Sequence, residues 1–465
     1  MDVDKLRARM LFVGPLLGLF VYVLTTSWGL ANAAAATAAI TTWVGLWWIF
    51  EPISIPATSL IPFAAFPLLG VLPNKVIAQA YGHWLILLLL GGFILSTAME
   101  RSGVHRRIAI GMIRLVGGTG PKRLILGIML ATAVLSGWIS NTATTLMMLP
   151  VALALCYELP GPKSVRALLL GLAYSASIGG IATPIGTPPN VVLMGIYQET
   201  TGKSIGFLDW MLLGGPIAII LLVVTWLYLT QNLEESEGAQ AQGALPVLGP
   251  ISRHERRVLV VFLLTAVAWV TRAQPFGGWS GLVGLDTVGD DTVALAAAAI
   301  LFMVPTGEVK GERLLDWETA SRIPWGLLIL FGGGIAIAKA FGASGLSTAI
   351  GHALDSVTTL PLLWMIGGIC LVVTFLTEMT SNTATTTLLM PILAATAVAA
   401  EFDPLLLMVP AALSASCAFM LPVATAPNAV VFGTGKITTR QMARTGFALN
   451  IIGAVTITLV CMFLL

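Results

Sequence analysis

Long apolar runs alternate with short polar breaks along the chain, and their spacing predicts helices that cross a bilayer. Runs of roughly 18–25 apolar residues suffice for a span. Such runs lie near 10–29, 33–50, 56–72, 84–99, 165–195, 209–230, 255–272, 290–306, 324–342, 402–434 and 443–465, about eleven crossings. Two further stretches, 121–158 and 358–400, are apolar but interrupted by Ser, Asn and Thr near their middle. These read as re-entrant hairpins, whose irregular backbone is tolerated at membrane depth only where it is buried in protein or lines a cavity. Residues 103–117 and 343–356 read as short amphipathic helices at the interface. The expected fold class is an all-α polytopic membrane protein with these crossings and two hairpins.

Composition sharpens this. The chain has 465 residues, 57% hydrophobic and only 10% charged, with a mean hydropathy of +0.92. A soluble domain carries about a quarter charged residues, so a soluble enzyme and a disordered chain are excluded. Net charge is +2 without a basic block, so no nucleic acid partner is implied; the expected surroundings are membrane lipids. Cys156, Cys370, Cys417 and Cys461 show neither disulfide nor zinc spacing.

Basic residues set the orientation. With the N-terminus inside, eleven crossings and both hairpins returning to their own side, the outside segments hold only Lys75, Lys203, Arg272 and Lys339 of the 24 Lys and Arg. Such a bias marks the cytoplasmic side, so the N-terminus is expected in the cytoplasm and the C-terminus outside. The start (Lys5, Arg7, Arg9, an apolar run, then Ala31-Asn32-Ala33) imitates a signal peptide. Its apolar run is long for one, and it reads as a retained first span. Residues 231–252 are polar and low in complexity, an inside linker between two halves.

The halves are related. SNTATTLMMLP at 140–150 is echoed by SNTATTTLLMP at 381–391, Ser175-Ala176-Ser177 by Ser414-Ala415-Ser416, and GTPPN at 186–190 by ATAPN at 424–428. Upstream, LLLLGGFILSTAMERSG at 87–103 is echoed by LLILFGGGIAIAKAFGASG at 327–345. Five crossings separate the SNT motifs, which places them on opposite sides of the membrane. This is the inverted repeat of secondary transporters, whose interrupted helices meet near the midplane.

Ser, Asn and Thr are preferred N-cap residues. Ser140-Asn141-Thr142 and Ser381-Asn382-Thr383 are expected to cap the second arm of each hairpin. The Pro- and Gly-rich stretches 182–190 and 421–428 should each break a helix. Carbonyl ends of such breaks suit a small hard cation and amide ends an anion. Four N-termini at about half a charge each amount to nearly two positive charges. No Lys or Arg occurs within 124–162, 167–202 or 340–435, which contain every motif. An anion there must be met by dipoles, neutral donors and co-bound cations, which points toward cation coupling. Glu378 reads as a hairpin-flank carboxylate facing water or capping a helix rather than as a proton site. Glu51 reads as interfacial, and His83, His105, His254 and His352 lie outside the motifs. Gly342-Ala343-Ser344-Gly345 matches the GxSG of intramembrane serine proteases, with His352 nearby. Ser102-Gly103 mirrors it in the first repeat without a GxSG, so repeat geometry accounts for it and no enzyme is expected.

The paired SNT motifs, SASIGGIATPIGTPPN at 175–190, ASCAFMLPVATAPN at 415–428 and WWIFEPISIPATSLIPFAAFPLLG at 47–70 together resemble the divalent anion–sodium symporter (DASS) family of dicarboxylate transporters, from about residue 40 to the C-terminus. The resemblance implies a homodimer in the inner (plasma) membrane, working as an elevator. Scaffold parts would be 1–118 and 253–357, transport parts 119–232 and 358–465, with 233–252 as the linker. It implies sodium as the coupling ion at two sites: Ser136, Ser140, Asn141 and the Gly186 carbonyl, and Thr377, Thr380, Asn382 and the Ala424 carbonyl. The substrate carboxylates would meet Ser140, Asn141, Thr142, Ser381, Asn382 and Thr383, with Thr187, Pro188 and Thr425 lining the site. One departure stands out: Thr425-Ala426-Pro427-Asn428 replaces the family's usual Thr-Pro-Pro-Asn. The expected function is sodium-coupled symport of C4 dicarboxylates such as succinate, fumarate or malate. The alternatives are a sodium-independent exchanger, a symporter of sulfate, a sulfonate or citrate, and, from other classes, a passive channel or the protease.

Overall fold

The structure, a computed structural model, describes residues 3–116, 120–233, 248–274, 277–285, 287–353 and 361–465. The chain opens with α1 (Val3–Ser27) packed along α2 (Asn32–Phe50). Gly14 and Gly18 let the two approach: a Cβ on either would collide with Trp47 or the Ala39 carbonyl. The Trp47 indole donates to the Met10 carbonyl at 2.9 Å. The expected 56–72 span is not one helix but α3 (Ile55–Thr58) and α4 (Ile61–Leu68), followed by α5 (Asn74–Tyr81). Pro56 and Pro62 each start a new helix and Pro73 ends the segment, since proline offers no N–H to the preceding turn.

The first repeat continues as α6 (Trp84–Ser102), α7 (Val104–Val116), α8 (Pro121–Ser136), α9 (Asn141–Cys156), α10 (Gly161–Gly180), α11 (Pro188–Thr201) and α12 (Phe207–Thr230). Most of the expected linker, 234–247, lies outside the described residues. Beyond it Ser252 caps α13 (Arg253–Val270), with Glu255 closing a capping box. Next come α14 (Gly278–Leu282), α15 (Asp290–Met303) and α16 (Trp317–Ala320). The second repeat is α17 (Trp325–Ser344), α18 (Leu346–Ala353), α19 (Leu362–Thr377), α20 (Asn382–Ala399), α21 (Leu405–Ala415), α22 (Ala426–Phe432) and α23 (Thr439–Leu464). The series α6–α12 and α17–α23 match element for element: a long helix, a short one, a two-armed hairpin, two half-helices and a last long helix.

Both amphipathic segments are helices, α7 and α18, although 117 and 354–356 lie outside the described residues. Gly103 and Gly345 end α6 and α17 at φ 76° and 77°, where a glycine is needed. The hydroxyls of Ser102 and Ser344 accept the N–H of Val104 and Leu346, each at 3.4 Å. Ser344 is therefore the second copy of a helix-end turn; the His352 side chain lies outside what is described.

Seven helices among the described residues are long and apolar enough to cross a membrane. Among them is α20, the second arm of the second hairpin, while the expected spans 165–195 and 402–434 are each two shorter helices. The second gap begins earlier than expected, at the end of α21 rather than at 421. Apolar side chains stand exposed along the outer helices, among them Phe12, Leu16 and Phe20 on α1, Leu212 and Ile219 on α12, and Leu459 and Phe463 on α23. A lipid environment suits this surface and water does not.

The repeats interlock. The first hairpin (α8, α9) packs on α10, and the second (α19, α20) on α21. The half-helices cross over: α11 packs on α20, and α22 on α9 and α10. Small residues permit this. A Cβ on Gly179 would strike the Ala133 backbone carbonyl, so α10 meets α8 almost backbone to backbone.

Candidate functional site

Each hairpin tip is an N-cap. Ser140 accepts the Ala143 N–H at 3.3 Å and Ser381 the Ala384 N–H at 3.5 Å, as their residue types require. Behind each tip lies the same arrangement of oxygens. Ser136 Oγ is 2.7 Å from Asn141 Oδ1 and 2.6 Å from the Ala176 carbonyl. Thr377 Oγ1 is 2.6 Å from Asn382 Oδ1 and 3.1 Å from the Ala415 carbonyl. A hydroxyl has one proton and can satisfy one of these acceptors, not both. Each tip thus holds a surplus of buried oxygen that a small hard cation would balance, and neutral oxygen ligands are what such a cation takes. Both groups fit a sodium ion in donor chemistry.

The two breaks are stapled alike. Asn190 Nδ2 donates to the carbonyls of Gly180 and Thr183 at 2.9 and 2.7 Å. Asn428 Nδ2 donates to those of Ala418 and Leu421 at 3.0 Å each. Both asparagines are fully buried, and both Oδ1 atoms lack a donor. Gly180 leaves room here: a Cβ would lie 2.6 Å from Asn141 Oδ1 and 3.1 Å from the Gly186 carbonyl. That contact also places the Gly186 carbonyl beside the first hairpin tip.

Tips and breaks line one cavity of about 590 Å³. Its wall includes Ser140, Asn141, Thr142, Gly186, Thr187, Pro188, Thr380, Ser381, Asn382, Thr383, Ala424 and Thr425, while Ser136 and Thr377 are buried behind the asparagines. The first turns of α9, α11, α20 and α22 all face it. With only seven residues, α22 is too short to count as a full dipole, so the three longer helices contribute about 1.5 positive charges. The cavity reaches the helix ends bearing Arg7, Glu51 and Pro324.

The CitMHS family, described as citrate transporter, matches residues 46–409. This chain belongs to the citrate transporter family. A sodium-dependent dicarboxylate transporter, SdcS, of Staphylococcus saprophyticus is 42% identical over 98% of this chain and 90% of its own length. Its counterpart in Staphylococcus aureus is 41% identical with the same coverage. Among solved structures, the YdaH transporter of Alcanivorax borkumensis aligns over 100% of this chain and 99% of its own, with a TM-score of 0.60 at 11% identity. MtrF of Neisseria gonorrhoeae aligns over 84% and 83%, with a TM-score of 0.59 at 13% identity. At such identity these two show a shared fold alone. The citrate transporter family and these relatives are transporters, not enzymes.

Several residues of this family member stand differently from expectation. The Thr380 hydroxyl is engaged locally, 2.9 Å from the Leu376 carbonyl and 2.6 Å from Thr385 Oγ1. Glu378 faces neither water nor the cavity; it is buried and binds backbone amides of the second break. Glu51 is more than interfacial: it lines the cavity mouth and holds φ 48° at the end of α2. Arg7, the one Lys or Arg among the described residues lining the cavity, was invisible to motif reading because only the packing of α1 on α2 brings it there. Asn190 and Asn428 did leave a signal, as the last residue of each break motif.

Proposed function

We infer that the chain is a sodium-coupled symporter of dicarboxylates, with C4 acids such as succinate, fumarate or malate as the substrate class. The observation that carries this is the duplicated oxygen cluster, Ser136–Asn141–Ala176 and Thr377–Asn382–Ala415, facing one cavity ringed by helix N-termini. The relatives named sodium-dependent dicarboxylate transporters support it. One sodium would meet Ser136, Ser140, Asn141 and the Gly186 carbonyl. The other would meet Thr377, Asn382 and the Ala424 carbonyl, with Thr380 reaching it only by turning its hydroxyl from Leu376. The dicarboxylate would lie between the tips, on Asn141, Thr142, Asn382, Thr383 and the free amides, with Ser140, Ser381, Thr187, Pro188 and Thr425 around it.

In this reading 1–118 and 253–357 form the scaffold, and 119–232 and 358–465 the part that moves, by an elevator stroke within a homodimer of the inner membrane. With the N-terminus cytoplasmic, the cavity mouth at Arg7 and Glu51 makes this the inward-facing state. A sodium-independent exchanger is the second reading, favoured by the committed Thr380 hydroxyl and by Ala426 in place of the usual proline.

Uptake of labelled succinate into proteoliposomes separates the two. Symport predicts uptake into empty vesicles on sodium and none on potassium; exchange predicts uptake only into preloaded vesicles, whatever the cation. Asn141→Ala and Asn382→Ala should each abolish uptake by a folded protein. Normal uptake in both would remove the site assignment.

A further inference from the structure

Glu378 follows Thr377 at the end of α19 and is 3% exposed. Its carboxylate takes three neutral donors. Oε1 accepts the Met420 N–H at 2.8 Å and Asn450 Nδ2 at 2.7 Å, and Oε2 accepts the Leu421 N–H at 2.9 Å. Asn450, on α23, turns its own Oδ1 to the Phe419 N–H at 3.2 Å, and Tyr174 of α10 donates to the Phe419 carbonyl at 2.8 Å. Three consecutive residues of the unwound segment between α21 and α22 are therefore each tied down. Leu421 passes the restraint on, since its carbonyl accepts the Ala424 N–H at 3.2 Å and Asn428 Nδ2 at 3.0 Å. In the first repeat Gly137 occupies the matching position, its carbonyl takes the Thr183 hydroxyl, and Trp210 of α12 donates to the Ile181 carbonyl at 3.0 Å, so that break is tied without a carboxylate. The second break is tied to its hairpin turn by two backbone N–H bonds to one side chain, the first by a single hydroxyl.

We propose that Glu378, with Asn450, is a positioning brace for the second cation site and makes that site unequal to the first. Glu378 does not touch the ion. It ties the hairpin turn that carries Thr377 to the segment that carries the Ala424 carbonyl, so the two ligands keep their distance whether or not the ion is present. Gln at 378 keeps the shape but presents an NH2 group to one of the backbone N–H donors, leaving a buried donor facing a donor. The proposal rests on the sodium-coupled reading above.

The test is sodium-dependent thermal stabilisation of the purified full-length protein, with succinate stabilisation measured separately at saturating sodium. For Glu378→Gln the sodium concentration giving half-maximal stabilisation is expected to rise about tenfold. For Asn450→Ala it should rise about threefold, because the carboxylate keeps its two backbone donors. Half-saturation by succinate at saturating sodium stays within about twofold of the parent. Should Glu378→Gln fail to fold, Asn450→Ala carries the test. Unchanged sodium half-saturation in folded variants overturns the proposal. So does a parallel loss of sodium and succinate response, which marks a general packing lesion. A parent protein not stabilised by sodium refutes the sodium-coupled reading itself, and the brace with it.

Discussion

Opposite the cavity mouth, Lys339 Nζ of α17 meets Glu199 Oε2 of α11 at 2.6 Å, and His83 Nε2 lies 3.5 Å from the other carboxylate oxygen. Because His83 Nδ1 accepts the Leu85 N–H at 3.3 Å, Nε2 carries a proton toward Glu199. The Trp84 indole donates to Gln198 beside them. Lys339 and Glu199 stand about 20 and 16 Å along their helices from the mouth-side ends at Trp325 and Pro188. Glu199 and Gln198 belong to the part proposed to move, and Lys339, His83 and Trp84 to the scaffold. A stroke of even one helical turn, about 5 Å, breaks every one of these bonds. They therefore stabilise the present state relative to the opposite one. Both members of the ion pair are under one-fifth exposed, so the pair contributes more than a surface bridge, about 1.5 kcal/mol. Removing it shifts the equilibrium between the two facing states about tenfold. The assay places a cysteine at Val423, which is exposed and lines the cavity, and labels it with an impermeant thiol reagent from the side opposite the mouth; the four native cysteines are buried. Lys339→Gln and Glu199→Gln should each raise that labelling rate about tenfold, and the double variant no further. Burial alone would push the Glu199 carboxyl up, but His83 and Lys339 beside it hold it below the usual carboxylate range. The contribution is thus fully present above the ordinary carboxylate pKa and is lost as pH falls through the lowered one. Unchanged labelling in both single variants, or additive effects in the double, would refute the reasoning.

The remaining expectations concern the site and its packing. Ser136→Ala and Thr377→Val each remove one oxygen of a cluster, and each should raise sodium half-saturation about tenfold with little change in melting temperature; an unchanged sodium dependence would detach that cluster from cation binding. Ala426→Pro removes an N–H from the cavity wall and should alter sodium half-saturation or the succinate-to-citrate preference about threefold; if neither moves, the departure from the usual proline is neutral. Gly179→Ala drives a methyl into the Ala133 backbone and should cost about 2 kcal/mol of stability, seen as a lower melting temperature in detergent; an unchanged midpoint would mean α8 and α10 can part freely.

How much of this was legible in the sequence depends on whether a residue acts through its own chemistry or through a neighbour's position. The SNT caps, the two breaks and the hairpins were readable, because capping residues, prolines and glycines impose their local backbone wherever they occur. The 56–72 run is not one helix because Pro56 and Pro62 each start a new one, and hydropathy alone does not register that break. The role of Glu378 depends on the amides of Met420 and Leu421, some forty residues away, and no periodicity links them. Arg7 reaches the cavity only through the seating of α1 against Trp47 and Ala39. The Lys339–Glu199 contact joins residues of different halves, and hydrophobic patterning carries no information about such pairs.

The scarcity of fixed cations at the cavity is itself mechanistic. Arg7 stands at the mouth on α1, outside both repeats, and the tips and breaks contribute only neutral donors and helix dipoles. Those dipoles supply about 1.5 positive charges, short of a dianion's two. In the proposed reading, sodium bound at the oxygen clusters makes good that shortfall. A buried arginine would compensate the dianion permanently and hold it equally well in either facing state, which does nothing for turnover. A compensating charge that can leave makes anion affinity depend on whether sodium is bound, and by linkage the anion raises sodium affinity by the same factor. On the proposed reading the oxygen clusters empty in the low-sodium compartment, and the dipoles alone then do not hold the dianion.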